Sequence, residues 1–222
     1  MGEGAPSQKT CRPPRNPNPS RKEDSLLRRS LIVVATCLVA LSVVPFAAAA
    51  IVHIRVEGKT VTLFGAGEPR VSASTPLDAL QTAARVGEFY MHITSSSFGN
   101  YVDQVGFYGG TGDSGWVFKV NGVSPPVGAD QVQLKDGDTV EWYYATFGAS
   151  GGPPTLELAQ TAAGCYTATG HDDTGAAKVP TGLVYHVDGR TIPAPAGHIC
   201  FAKKHGLVWA TAPGTVRSNR LP

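Results

Sequence analysis

The sequence carries few charges. Charged residues make up 16% of the 222 residues, and lysine and arginine form no stripe with interleaved aromatic residues. A nucleic-acid-binding surface needs such a stripe, so we expect no nucleic acid among the partners. Glycine (26 residues) and proline (17 residues) are abundant instead, a composition that is typical of β domains with many turns.

Signatures of catalysis are also lacking. The sequence contains no glycine-rich phosphate loop and no dinucleotide-binding fingerprint. Asp172, Asp173 and the four histidines of the second half do not show the His-x-x-x-His or Cys-x-x-Cys spacing of metal sites. We therefore expect no metal, no catalytic residues and no enzymatic activity. The histidines are His171, His186, His198 and His205.

Two short motifs imitate functional sites. Gly112-Asp113-Ser114-Gly115 matches the tetrapeptide around the nucleophile of chymotrypsin-like proteases, but a triad also needs a histidine base and a buried acid. His53 and His92 lie in the wrong sequence context for that base. Asp136-Gly137-Asp138 suggests calcium, yet no twelve-residue binding loop follows. Both motifs are predicted to be turns.

The N-terminus carries a targeting or membrane signal. Residues 1–30 are basic and rich in proline and serine, so we expect a disordered tail. An uncharged run of 22 residues follows, Leu31 to Val52, and about 20 apolar residues span a bilayer. Residues 31–50 are either a signal peptide, cleaved near Ala48 to Ala50, or a single transmembrane helix. In both cases the preceding basic cluster places the remainder outside the cytoplasm, secreted or membrane-anchored.

The four cysteines separate by compartment. Cys11 would be cytoplasmic and Cys37 intramembrane, which leaves Cys165 and Cys200 on the oxidising side. The simplest use of this exported pair is a disulfide. The alternative is two unpaired, buried thiols.

Residues 51–147 are predicted to form a first domain. Strand-like alternation occurs at 51–58 and 59–64, and again in several segments between 90 and 144. One helix is predicted between them, because Ser74 or Thr75 can cap it and Pro76 suits its first turn. Apolar residues recur behind Pro76 at helical spacing. The fold class is therefore mainly β or α+β, with a grasp-like or sandwich sheet covered by one helix.

A linker and a second domain follow. Residues 148–154 are Gly/Ser-rich and then Pro-rich, as linkers are. Residues 155–222 contain five short strand candidates separated by turns, which predicts a small all-β sandwich. A core this small would benefit from the Cys165–Cys200 disulfide.

Aromatic residues concentrate in the second half of the first domain. Alternate strand residues share a face, so Trp116 points with Phe118, and Trp142 points with Tyr144. One set is expected to build the core against the helix. The alternative is an exposed aromatic platform that binds a flat ligand or polymer. The four residues named are the candidate ligand-binding residues.

Five pieces of the first domain resemble the transcobalamin-like C-terminal domain family. They are an N-terminal hairpin, the helix from Pro76 to Val86, Gly99-Asn100-Tyr101-Val102 before a turn, Gly115-Trp116 with Val120-Asn121-Gly122, and Leu134-Lys135-Asp136-Gly137-Asp138 before Val140-Glu141-Trp142. The resemblance covers residues 52–146. It implies a small β-rich module of vitamin B12 carriers and of bacterial surface proteins. In the carriers this domain covers the corrinoid jointly with a helical barrel, which this sequence lacks.

These features together favour a non-enzymatic binding or adhesion module at the cell surface. Its partner would be an unknown small ligand, a surface polymer or a protein, and its N-terminal segment would contact the membrane. One alternative is a cobalamin-binding accessory protein, for which cobalamin would be the cofactor. Another is a structural spacer without a ligand.

Overall fold

The computed structural model describes residues 49–96, 99–149, 151–203 and 205–222. The predicted tail (1–30), nearly all of the predicted signal or transmembrane segment (31–50), and Cys11 and Cys37 lie outside the described residues. None of the helices in the described ranges is long and apolar enough to cross a membrane.

The described chain is mainly β with one helix, as predicted. A first module, residues 50–146, contains a five-stranded sheet in the order β2-β1-β8-β7, with β3 also paired to β1. Strands β1 and β8 are parallel, and the other pairs of this sheet are antiparallel. The strands of the sheet are β1 (Ala50–Glu57), β2 (Thr62–Phe64), β3 (Arg70–Ala73), β7 (Ser114–Val120) and β8 (Thr139–Thr146).

Helix α1 (Pro76–Gly87) covers one face of this sheet. Thr75 caps its start, since its side-chain oxygen accepts a hydrogen bond from the Asp78 backbone N–H. Its buried residues include Leu77, Leu80 and Ala83, the apolar stripe that the sequence predicts. Glu88 ends the helix in the left-handed conformation (φ 51°).

A separate antiparallel sheet packs against the same core. It consists of β4 (Met91–Ser96), β5 (Gly99–Val105) and β6 (Tyr108–Gly109). Val102 and Val105 of β5 are buried in the core cluster that α1 and the five-stranded sheet share. This sheet therefore completes the apolar interior of the first module.

A second module, residues 155–221, has two small sheets around its own apolar cluster. The predicted disulfide is confirmed: Cys165 and Cys200 are bonded, and they face each other on adjacent antiparallel strands. One sheet contains β9 (Thr155–Ala162), β10 (Cys165–His171), β11 (Ala177–Lys178) and β14 (His198–Cys200). The other contains β12 (Val184–Val187), β13 (Arg190–Pro193) and β15 (Trp209–Thr211).

The second module covers the polar face of the five-stranded sheet. Arg55 of β1 is buried there and donates hydrogen bonds to the carbonyls of Leu156 and Arg217 in the second module. Its guanidinium also pairs with Glu141 of β8 at 2.8 Å. The Arg217 guanidinium lies 3.2 Å from the Glu57 carboxylate. The contact between the two modules is therefore a buried network of charges. In β1 the charged residues alternate with apolar ones, a pattern that is typical of a strand with one face in water.

Two further groups belong to this interface. The Lys119 ammonium of β7 is fully buried and donates to the carbonyl of His171 at 2.7 Å. Burial lowers the pKa of Lys119, and nearby carboxylates, Asp173 first, oppose that effect. Burial also raises the pKa of Glu141, against the attraction of Arg55. Charged groups without water depend on their partners for stability.

Glu57 should give the unfolding free energy a measurable pH dependence. Burial raises its pKa from 4.5 to about 7, since desolvation outweighs the attraction of Arg55 and Arg217. Between these pH values the folded protein holds a proton that the unfolded chain has released, so stability falls as pH rises from 4.5 to 7. We expect wild type to lose about 2–3 kcal/mol relative to Glu57→Gln between pH 5 and pH 8.

Urea denaturation of both proteins at several pH values measures this difference. Groups that do not interact with Glu57, such as His186, contribute equally in both proteins and cancel in the comparison. Parallel stability profiles for wild type and Glu57→Gln would show that Glu57 titrates normally.

Candidate functional site

The four candidate ligand-binding residues lie on one face of the β7–β8 hairpin. Trp116 is opposite Tyr144 and Phe118 is opposite Trp142 in the antiparallel register. Directly opposed residues share a face, so both sets predicted from the sequence lie on the same side. Their rings contact each other, with centroids 5.7 Å apart for Trp116–Tyr144 and 5.2 Å apart for Phe118–Trp142.

This face turns toward helix α1 and the core. Trp116 and Trp142 are buried, and their indole N–H groups donate to the carbonyls of Tyr108 (2.7 Å) and Pro76 (2.9 Å). Phe118 and Tyr144 are partly buried against the same cluster. The hydroxyl of Tyr144 donates to the carbonyl of Gly109 at 2.9 Å. The four rings therefore build the core instead of forming an exposed platform.

A cavity of about 300 Å³ opens beside these rings, along strand β7. We call it the aromatic cavity. Trp116, Phe118 and Trp142 line it, whereas Tyr144 does not. The remaining lining residues are Leu77, Asn100, Tyr101, Val102, Val117, Ser124, Pro125, Gly128, Ala129, Tyr143, Phe147 and Asp173.

The sequence does not indicate that several of these lining residues meet at one cavity. Asn100 and Tyr101 come from the separate sheet, and Asp173 comes from the second module. Tyr101 and Phe147 are both substantially exposed at the cavity. The only sequence signal for Phe147 is its place in the aromatic-rich segment, and nothing local marks Asp173.

Carboxylates supply the charge at the aromatic cavity. The Asp173 carboxylate accepts from the Ser124 hydroxyl at 3.0 Å and lies 3.8 Å from the Lys119 ammonium. Asp130 accepts from the Asn100 amide at 3.0 Å through one oxygen. Its other oxygen is buried and has no hydrogen-bond partner in the described part of the chain. No lysine or arginine lines the cavity.

The two motifs that imitate functional sites are turn and strand-end structures. The Ser114 hydroxyl contacts Asp113 (3.2 Å) and the hydroxyl of Thr146 (2.8 Å), with no histidine among its hydrogen-bond partners in the described residues. Asp136 accepts from the backbone N–H of Ile51, and Asp138 accepts from that of Lys135. Within the described ranges, no group of three His, Cys, Asp or Glu side chains could hold a metal ion.

Most of the first module matches a known protein family. Residues 75–146 match the model of a domain of unknown function, DUF4430. This DUF4430 segment runs from the cap of α1 to the end of β8, so it includes all four candidate residues and most of the cavity lining. Asp173 and Phe147 lie outside it.

Two further comparisons add no functional assignment. A crystal structure described as a "putative metal binding protein" from Ruminococcus gnavus ATCC 29149 resembles part of the chain. It is 14% identical, with a TM-score of 0.33, over 44% of this chain and 97% of that one. A likeness this low carries no argument about the site. A comparison with curated proteins gives no match.

Proposed function

We propose that this chain is a non-enzymatic binding module that works outside the cytoplasm and takes its ligand in the aromatic cavity. The observation that carries the proposal is the cavity itself. It has the volume of a small ligand site, its walls are mainly aromatic and aliphatic, and a few polar groups converge on it. The disulfide supports an oxidising compartment, and the apolar N-terminal segment supports export, with secretion or membrane anchoring as its result.

The cavity offers one kind of chemistry. Trp116, Phe118 and Trp142 supply apolar surface within a fixed sheet, so a flat or apolar group can enter without reordering the core. Tyr101 and Phe147 extend that surface to the mouth.

No histidine, cysteine or lysine is among the described groups that line the cavity. The Ser124 hydroxyl donates to a carboxylate there, but its acceptor Asp173 also faces the Lys119 ammonium at 3.8 Å, which makes that carboxylate a weak base. Binding is therefore the function that these groups support.

Cobalamin is the alternative that the family resemblance suggests. The transcobalamin-like interpretation is consistent with the DUF4430 match but goes further than that match. A cavity of about 300 Å³ lies at the lower end of sites for small molecules, so it could enclose only part of a corrinoid. Cobalamin thus belongs in the test as one probe among several. A structural spacer would bind none of the probes.

The test uses a panel of aromatic fragments, indole and naphthalene among them, together with cyanocobalamin. Ligand-detected NMR with the full-length protein identifies probes that bind. We expect Tyr101→Ala to weaken a bound fragment about fivefold, because it removes a ring at the mouth. Its unfolding free energy should change by no more than about 0.5 kcal/mol, since the ring is half-exposed.

Tyr90→Ala is the matched control. Tyr90 is 58% exposed, close to the 52% of Tyr101, and it does not line the aromatic cavity. A fragment that binds both variants equally well lies elsewhere on the protein. If no fragment binds wild type, the cavity is not a small-ligand site.

A further inference from the structure

Strand β7 has an unpaired edge next to the aromatic cavity. It is the last strand of its sheet, bonded only to β8 among the described strands. The Asn121 N–H donates to the Thr139 carbonyl, and the Phe147 N–H donates to the Asp113 carbonyl. These bonds fix the phase of the ladder, because hydrogen-bonded and non-hydrogen-bonded pairs alternate. The N–H and C=O groups of Trp116 and Phe118 therefore point away from β8.

Local turns occupy this edge at both ends of β7. Ser114 exchanges two backbone hydrogen bonds with Thr111, and Val120 exchanges two with Val123. Between them, the outward groups of Trp116 and Phe118 have no hydrogen-bond partner among the described residues. Two backbone N–H donors and two C=O acceptors, those of Trp116 and Phe118, are thus free to bond a further strand. They span three residues, which is enough to pair with a short segment.

The aromatic cavity adjoins this open stretch of backbone. Trp116, Val117 and Phe118 all line it, so a chain paired with β7 would run along its wall. Side chains of a strand alternate in direction, so one side chain of such a segment could enter the cavity. Tyr101 and Phe147 would flank the entering group.

The rim favours a basic segment. The Asp173 side chain is 42% exposed, and its carboxylate meets the buried Lys119 ammonium at 3.8 Å. The second oxygen of Asp130 is buried and lacks a hydrogen-bond donor in the described part of the chain. Asp130 is adjacent to the lining, because its carboxylate contacts Asn100 and lies beside Gly128. No lysine or arginine lines the cavity, and Lys119 is fully buried, so a cationic side chain is the group that complements the exposed side of the Asp173 carboxylate.

We propose that the ligand is an extended polypeptide segment that adds as a strand to β7 at Trp116 and Phe118. It places an apolar side chain in the aromatic cavity and a lysine or arginine near Asp130 and Asp173. The inference rests on the proposed binding function and specifies its ligand class. Backbone pairing would supply affinity, and the cavity and the two carboxylates would supply specificity.

A library of linear heptapeptides displayed on phage, selected against the full-length protein, provides the probe. The selected peptide is then synthesised with a single N-methyl group at each amide in turn. Methylation should weaken binding about tenfold or more at alternate amides and little at the others, because alternate N–H groups of a strand face its partner. Replacing the basic residue of the peptide by norleucine should weaken binding about threefold.

Amide hydrogen exchange locates the pairing on the protein. The Trp116 and Phe118 amides should exchange quickly in the free protein and at least about tenfold more slowly with peptide bound. The Val117 and Lys119 amides, bonded to β8, should be protected in both states and serve as internal controls. A peptide that leaves the Trp116 and Phe118 amides unchanged binds in another way and overturns the inference.

Other outcomes also decide between the proposals. Fragments that bind while no heptapeptide is selected would keep the binding function and overturn the peptide inference. The Trp116 and Phe118 amides could instead become more protected as the protein concentration rises, with the protein then measured as a dimer. A second copy of this chain would then pair with β7, and the peptide inference would be overturned as well. Failure of both fragments and peptides would remove the binding function itself.

Discussion

Replacement of Arg55 by alanine is expected to lower the free energy of unfolding by about 3–5 kcal/mol at pH 7.5. Arg55 is buried between the modules, 2.8 Å from Glu141, 3.2 Å from Glu68 and 3.6 Å from Glu57. Its removal leaves the buried Glu141 carboxylate without its paired cation, whereas Glu57 keeps Arg217. It also removes donors to two carbonyls of the second module. Urea denaturation of the variant and wild type measures the loss.

The loss of unfolding free energy caused by Arg55→Ala should be smaller at low pH. Burial already raises the pKa values of Glu57 and Glu141, so both carboxyl groups of the variant take up protons as pH falls. A neutral carboxyl group needs no cation, and the difference from wild type at pH 5 should therefore be smaller than at pH 7.5.

Arg70→Ala is the matched control. Arg70 lies on the neighbouring strand β3 with its side chain exposed, so its removal should change stability by no more than about 0.5 kcal/mol. A loss below about 1 kcal/mol for Arg55→Ala would show that the buried network does not hold the two modules together.

Removal of the disulfide is expected to have the second large effect on stability. Cys165 and Cys200 are 35 residues apart in sequence, and closure of such a loop stabilises the fold by about 3–4 kcal/mol on the chain-entropy account. The Cys165→Ala/Cys200→Ala double variant should lose that amount. The core of the second module is small, so its strands β10 and β14 should lose protection first.

Dithiothreitol provides the control for this variant. It should lower the melting temperature of wild type to that of the double variant and leave the double variant unchanged. A wild-type melting temperature that does not respond to full reduction would contradict a stabilising role for the disulfide.

Local structure was predictable where the residues that determine it lie close together in the sequence. Thr75, Pro76 and the apolar stripe behind them place helix α1 to within a residue of its observed end. The disulfide was predictable because Cys165 and Cys200 are the two cysteines that follow the predicted export signal. Strand alternation also grouped Trp116 with Phe118 and Trp142 with Tyr144, and the observed register only adds that both pairs share a face.

Contacts between distant segments were not predictable. The alternation of Arg55 and Glu57 with apolar residues is what a strand with one solvated face shows, yet the second module covers that face. Asp173 reaches the aromatic cavity only because the second module packs beside β7. The open edge of β7 depends on strand order, which a single sequence does not encode locally.

The indole N–H signals of the three tryptophans test the binding account most directly. Trp116 and Trp142 line the aromatic cavity, whereas Trp209 lies in the second module outside it and serves as the internal reference. Titration of the nitrogen-15-labelled protein with a bound fragment or a selected peptide should shift the Trp116 and Trp142 signals and leave Trp209 unchanged. Shifts confined to Trp209, or none with any probe at saturation, would contradict a ligand site in the aromatic cavity.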